Sequence, residues 1–262
     1  MMKNKLLNTL ILAALAIPGV AMAADSPFSS NVSLTTNYLY RGISQTGGGP
    51  AIQGGFDYAN PNGVYVGVWG SSISWVGDGG LASGAGTELD TYFGYGGSVT
   101  EDVSYDVGFL RYNYPGNYAP NLAPFAKADT NEIYGKIGWK WISLKYSDSL
   151  GDTFGLSKAG GTSYIDLSAS YDVAEAGITL GAHYGKQTYK GASADAQKAG
   201  GTDPSYSDYN VSVSKDFSGY GVTAMYSSTN AKKGGYYSIP QADGSIADLG
   251  KGTLVLSVSH SM

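Results

Sequence analysis

The sequence predicts a single antiparallel transmembrane β-barrel of about twelve strands, and three observations predict it. Apolar or aromatic residues recur at every second position from Asn31 to the end of the chain. These stretches number about twelve. The connections between them alternate between short and long. Period-two alternation marks strands with two different faces. Short turns on one side and long loops on the other are the topology of outer-membrane barrels.

The first expected strand is Ser30–Arg41, with Val32, Leu34, Tyr38 and Tyr40 on one face. Ala51–Ala59 and Val64–Trp75 follow, joined by Asn60-Pro61-Asn62-Gly63, where Pro and Gly suit a tight turn. Thr87–Gly97 and Val103–Tyr114 come next; in the second, Val103, Tyr105, Val107 and Phe109 alternate with Ser104, Asp106 and Gly108. The remaining strands are Thr130–Gly138, Trp141–Ser147, Thr162–Tyr171, Gly177–Tyr189, Tyr206–Lys215, Gly221–Thr229 and Gly252–His260. In the last, Leu254, Leu256 and Val258 alternate with Thr253, Val255, Ser257 and Ser259. Short turns are expected at Val99–Asp102, Trp139–Lys140, Asp172–Ala176 and Asp216–Tyr220. Long loops are expected at Gly42–Pro50, Val76–Gly86, Pro115–Asp129, Asp148–Gly161, Lys190–Ser205 and Asn230–Lys251. An even strand count puts both termini on the short-turn side, the periplasm. No useful helical period is expected in these segments.

The start of the chain reads as a targeting segment. Lys3 and Lys5 precede the apolar run Leu6–Val20, and Ala21-Met22-Ala23 fits a small-residue cleavage site. Residues 1–23 are therefore expected to be a cleaved signal peptide and residues 24–262 the barrel. No later segment has the ~18 or more apolar residues of a membrane helix. Without Lys3 and Lys5 the chain keeps 14 Lys+Arg against 21 Asp+Glu, a charge of −7 that argues against a nucleic-acid partner. The absence of cysteine removes disulfides and thiolate chemistry. The 22 Tyr argue against a disordered chain and suit a membrane–water boundary.

Parity assigns the faces. The lipid side takes Val32, Leu34, Tyr38, Tyr40, Ile52, Phe56, Tyr58, Leu89, Phe93, Tyr95, Ile165, Leu167, Tyr171, Ile178, Leu180, Tyr184, Tyr209, Val211 and Val213, besides the sets named above. The opposite face reads as Ser, Thr, Gly, Asn and charges. Its acids are Asp57, Glu88, Asp90, Asp106, Glu132, Asp166 and Asp208; its bases are Arg41, Lys136 and Lys145, with His183 beside them. In a water-filled lumen that excess of acids would favour cations. Equally, the opposite charges could pair and close the barrel. Ser168, His183 and Asp166 invite a hydrolase reading, but nothing nearby marks a nucleophile or an oxyanion hole. A hydrogen bond between Asp166 and His183 is the expected arrangement, and no enzyme activity is expected. His260 shows no partner, and two distant His do not make a metal site. Neither metal nor cofactor is expected; Gly47-Gly48-Gly49 opens no helix and is not a phosphate cradle.

The stretch Thr36-Asn37-Tyr38-Leu39-Tyr40-Arg41-Gly42-Ile43-Ser44-Gln45-Thr46 resembles the opening signature of the TorF family of porin-like proteins, also called Gcw_chp. Pro50–Tyr58, Gly63–Ser71, Glu88–Tyr95 and Glu132-Ile133-Tyr134 continue it over most of the chain. The resemblance implies a Gram-negative outer-membrane barrel with a pore role, and no particular solute. Arg41 matches the arginine of the signature; at the outer end of the lumen it would serve a constriction or an ion pair. The expected function is a porin: a passive diffusion channel for small hydrophilic solutes in the outer membrane. Two alternatives are a non-conducting barrel whose outer loops bind a partner or surface, and a membrane hydrolase. The expected partners are outer-membrane lipid, the solutes, and the barrel-assembly machinery, which would read Leu254, Leu256 and Val258, although the usual terminal aromatic is absent.

Overall fold

The computed structural model describes residues 26–120, 125–240 and 246–262. The expected leader, residues 1–23, lies outside the described residues. Twelve strands form one closed antiparallel barrel. They are β1 (Phe28–Thr35), β2 (Ala51–Ala59), β3 (Val64–Ser72), β4 (Thr87–Ser98), β5 (Val103–Asn113), β6 (Thr130–Trp139), β7 (Ile142–Ser149), β8 (Ser163–Val173), β9 (Ile178–Thr188), β10 (Tyr206–Phe217), β11 (Tyr220–Thr229) and β12 (Thr253–Ser261). Each pairs with its sequence neighbours, and β1 pairs with β12 to close the seam, Leu34 opposite Val258 and Thr35 opposite Ser257. Closure leaves no free edge.

The outer face is an apolar belt. Leu34, Ile52, Phe93, Val107, Ile137, Leu167, Val211 and Leu254 all point out from successive parts of the wall and are exposed. Aromatic residues collect at the short-turn end, where Phe28 packs on Tyr58, Tyr95 on Tyr105, Trp141 on Tyr171 and Tyr220 on His260. His260 thus has a partner after all: it lies on the Tyr220 ring, and its Nδ1 is 2.8 Å from the Gly219 carbonyl oxygen.

Four features depart from the sequence reading. The first strand ends at Thr35, not Arg41, because the chain turns inward there; Tyr38 and Tyr40, expected on lipid, are buried inside the barrel. The third strand ends at Ser72 and gives way to a one-turn helix, Trp75–Asp78. A second helix, Ala192–Ala199, lies in the loop after β9. The inner face is also not purely small and charged, since Tyr65, Tyr92, Tyr112, Tyr134 and Tyr164 point inward and are buried. Three of these rings are opposite a glycine of the next strand in the register: Tyr65 opposite Gly94, Tyr92 opposite Gly67 and Tyr134 opposite Gly108. The missing side chain lets the ring lie flat on the neighbouring strand instead of blocking the bore.

The long loops are tied to one another at their end of the barrel. Ala82–Ser83 pairs with Asn117–Tyr118 of another loop, and the Ser44 amide donates to the Leu249 carbonyl at 2.8 Å, while Ser238–Pro240 pairs with Ile246–Asp248 within one loop. Ile73, Val76, Ala82, Ala85 and Ala128 form one buried apolar cluster with Tyr38, Tyr40, Tyr92, Tyr112 and Tyr114. Loops and lumen therefore share a core.

The Tyr–Gly packing can be checked at Gly67, where a Cβ would overlap the Asp57 carboxylate and the Tyr92 ring. Gly67→Leu is expected to prevent closure, so that boiled and unboiled samples migrate alike on a denaturing gel. A wild-type mobility difference in the variant would show that the space is not needed.

Candidate functional site

The segment after β1 builds the most distinctive site. Asn37 anchors its base, with its Oδ1 accepting from the Ser44 hydroxyl at 2.7 Å and from the Thr46 hydroxyl at 3.3 Å. Leu39–Tyr40 then pairs with Ile43–Ser44 as a miniature hairpin. Its two central residues, Arg41 (φ 49°) and Gly42 (φ 76°), both have positive φ, as a type I′ turn demands. Glycine adopts that geometry freely, while for arginine the left-handed conformation costs roughly 1–2 kcal/mol. The tip projects into the lumen, with Arg41 reaching across to Glu132 on β6 and Gly42 lying against β10 and β11, three and two strands from β1. A Cβ on Gly42 would lie 2.6 Å from Thr229 Cγ2 and 2.7 Å from Asp208 Cβ, so only glycine fits against β10 and β11.

Arg41 is lodged among groups from three strands and a loop. Its Nη2 donates to Glu132 Oε2 at 2.7 Å and its Nη1 to Glu132 Oε1 at 3.1 Å, a two-pronged contact. Nη1 also donates to Gln187 Oε1 at 2.7 Å. The guanidinium carbon lies 4.3 Å from the Tyr164 ring centroid, 4.8 Å from Tyr40 and 5.9 Å from Phe154. Glu132 accepts further hydrogen bonds from the Tyr112 hydroxyl at 3.2 Å and the Ser149 hydroxyl at 3.3 Å. Both side chains are nearly water-free, at 8% and 3% exposure. Such a pair repays its desolvation only when its geometry and remaining hydrogen bonds are good, as here.

The other expected lumen residues fall into two groups. Most acids are engaged by hydroxyls or by His183. Asp57 accepts from Tyr92 at 2.5 Å, Asp106 from Tyr65 at 2.7 Å and Glu88 from Tyr38 at 3.3 Å. Tyr65 also bonds Tyr134. Asp90 is buried, and its Oδ1 has no hydrogen-bond partner among the described residues. His183 bridges two carboxylates, with Nδ1 3.0 Å from Asp166 Oδ2 and Nε2 2.9 Å from Asp208 Oδ1. Only a ring protonated on both nitrogens can donate to both. Ser168 donates to Asp166 Oδ1 at 2.6 Å, so its proton is directed at a carboxylate and not at the imidazole, the reverse of an activated nucleophile. The second group is Lys136 and Lys145, opposite one another on β6 and β7. Lys145 Nζ lies 4.2 Å from the Tyr134 ring centroid. Among the described residues neither lysine has an ion-pair or hydrogen-bond partner.

The two ends of the lumen differ. The hairpin, its tyrosines and the loops occupy the long-loop half. The short-turn half is lined by small side chains, among them Ser104, Gly138, Ser143, Ser168, Gly181, Ser212 and Thr223. Sequence parity put Arg41 in the lumen but attached it to a wall strand, and it missed Gln187, Tyr164, Tyr40 and Phe154. Gln187 and Tyr164 share the inward phase of His183 and Asp166 and were legible in principle. Phe154 lies in a connection, where parity says nothing, and parity put Tyr40 on lipid because it ran β1 on past Thr35. The Asp208–His183 contact escaped because it runs diagonally across Gly185, while the register sets His183 opposite Asn210.

Removing Glu132 tests what holds the hairpin. Glu132→Ala leaves the guanidinium buried without its counter-ion, a loss on the order of 3–5 kcal/mol. The expected result is release of the hairpin: trypsin spares Arg41–Gly42 in the folded wild type and cuts it in the variant, as read from fragment masses. Equal protection in both proteins would show that the ion pair does not hold the hairpin in place.

Among solved structures, the KdgM porin in complex with disordered oligogalacturonate is 8% identical, over 90% of this chain and 98% of that one, with a TM-score of 0.48. The NanC porin is 7% identical, over 88% and 97%, with a TM-score of 0.49. OccD3 of Pseudomonas aeruginosa is 12% identical, over 91% and 65%, with a TM-score of 0.43. No curated protein matches the chain. The family described as a bacterial protein of unknown function, Gcw_chp, matches residues 21–262. The chain belongs to the Gcw_chp family.

Proposed function

We propose that the protein is an outer-membrane channel for the passive diffusion of small hydrophilic solutes, with the short turns and both termini in the periplasm. The observation that carries this reading is the inversion of the barrel, which has an unbroken apolar belt outside and charges within. A water-soluble barrel has the opposite pattern, and an exposed apolar surface of this extent needs a hydrocarbon solvent. Strands of 8–12 residues match the ~9–11 that a tilted strand needs to cross a bilayer. The aromatic ring at the short-turn end suits an interface. The sequence resemblance to TorF porins points the same way.

Twelve strands enclose a bore narrower than that of sixteen-stranded porins, and the hairpin at Leu39–Ser44 narrows it further. In this reading Arg41 and Glu132 form the latch of a constriction, and solutes pass when the hairpin yields. The filling of the long-loop half also supports a second reading, a barrel closed at rest whose tied loops meet a partner. Residues 1–23 act as the cleaved leader, and Leu254, Leu256 and Val258, all facing outward on β12, serve as the assembly signal. Neither reading includes catalysis, because the hydroxyl of Ser168 is bonded to Asp166.

Planar bilayers separate the two readings. Purified wild type is expected to give small conductance steps, and Glu132→Ala larger or more frequent ones, as the freed hairpin leaves the bore. No steps in either protein would remove the channel reading and leave the closed barrel. The leader is checked by the intact mass of protein extracted from outer membranes, which should begin at Ala24.

A further inference from the structure

We propose that Lys136 and Lys145 form an oxyanion-binding site in the short-turn half of the lumen and give the pore a preference for anions. The selectivity rests on the channel reading above; the binding site does not. Counting charges predicts the opposite sign, with seven acids against three lysine or arginine bases, but the count ignores which charges a solute can reach. Asp57, Glu88, Asp90, Glu132 and Asp208 are each at most 4% exposed. The two lysines are half-buried, as are Asp106 and Asp166, but those two carboxylates are already engaged by Tyr65 and by Ser168 and His183.

Their arrangement is unusual. Like charges directly opposite on paired strands repel, yet Lys136 and Lys145 face one another and both point inward. In the same row Asp106 stands opposite Lys136, and Asp166 opposite Lys145. Neither carboxylate comes within ion-pair distance of a lysine. Asp106 is held by Tyr65, and Asp166 by Ser168 and His183. Each ammonium therefore keeps its three donors unclaimed by the described residues. Toward the short-turn end the next inward positions are Ser104, Gly138, Ser143 and Ser168, which leave an approach from that side. A group with two or more charged oxygens would bridge the ammoniums and relieve their repulsion. The ligand class is accordingly a small solute bearing a carboxylate or phosphate.

The test begins with reversal potentials in a potassium chloride gradient. Wild type is expected to favour chloride. Lys136→Gln with Lys145→Gln should lower the chloride-to-potassium permeability ratio on the order of threefold, while arginine at both positions should keep it. Inorganic phosphate on the short-turn side should reduce the current in wild type and not in the double glutamine variant. A cation-selective wild type, or a double variant with the wild-type potential, overturns the selectivity. If no current appears, the channel reading fails and calorimetry in detergent judges the site alone. Heat from inorganic pyrophosphate in wild type, lost in the glutamine variant and kept in the arginine variant, sustains it; no heat in wild type overturns it. Gel mobility before and after boiling shows that each variant is folded.

Discussion

Everything in this molecule depends on the pairing of its first and last barrel strands. Phe28–Thr35 and Thr253–Ser261 exchange hydrogen bonds across the seam, so every strand has two neighbours. Once the ring is closed, each residue faces either out or in, with no third environment. The outward set can be apolar throughout because nothing covers it. The inward set inherits the opposite problem, since polar groups confined in a narrow tube need partners that are also confined there.

Tyrosine is how the protein answers that problem. A carboxylate in a narrow lumen could be matched by a lysine or arginine, each long and costly to order. A tyrosine instead lies against the wall over a glycine and presents one hydroxyl at a fixed place. Asp57 with Tyr92 and Asp106 with Tyr65 are built this way. The hairpin uses the same chemistry in the other direction, with Tyr40 and Tyr164 supplying ring faces to a cation. Lys136 and Lys145 stand out because neither has an ion-pair or hydrogen-bond partner among the described residues, Lys145 meeting only the face of the Tyr134 ring.

Much of the wall was legible in the sequence, and the reasons are local. Tight turns such as Asn60–Gly63 and unbroken alternation such as Val103–Phe109 fixed where strands begin and which way residues face, and these follow from period two alone. The interior was less legible because its contacts are diagonal or come from connections. Tyr38 and Tyr40 continue the alternation of β1, so parity carried them onto lipid; what turns them inward is the anchor of Asn37 on Ser44 and Thr46, together with a turn at Arg41-Gly42 that resembles ordinary strand sequence. An acid count is silent on solvent access for a related reason. Composition records charge, while solvent access to Glu132 or Asp208 is decided by side chains that arrive from elsewhere in the chain.

The hairpin also bears on the order of assembly. Arg41 belongs to the first connection of the chain, yet its partners Glu132 and Gln187 lie 91 and 146 residues later. Contacts of such sequence separation form late, because the intervening chain must already be placed. The tip cannot seat until β6 and β9 stand in the wall, and Gly42 cannot dock until Asp208 and Thr229 are there to receive it. Assembly therefore passes through a stage in which β6, β9, β10 and β11 stand in the wall and the hairpin has yet to seat.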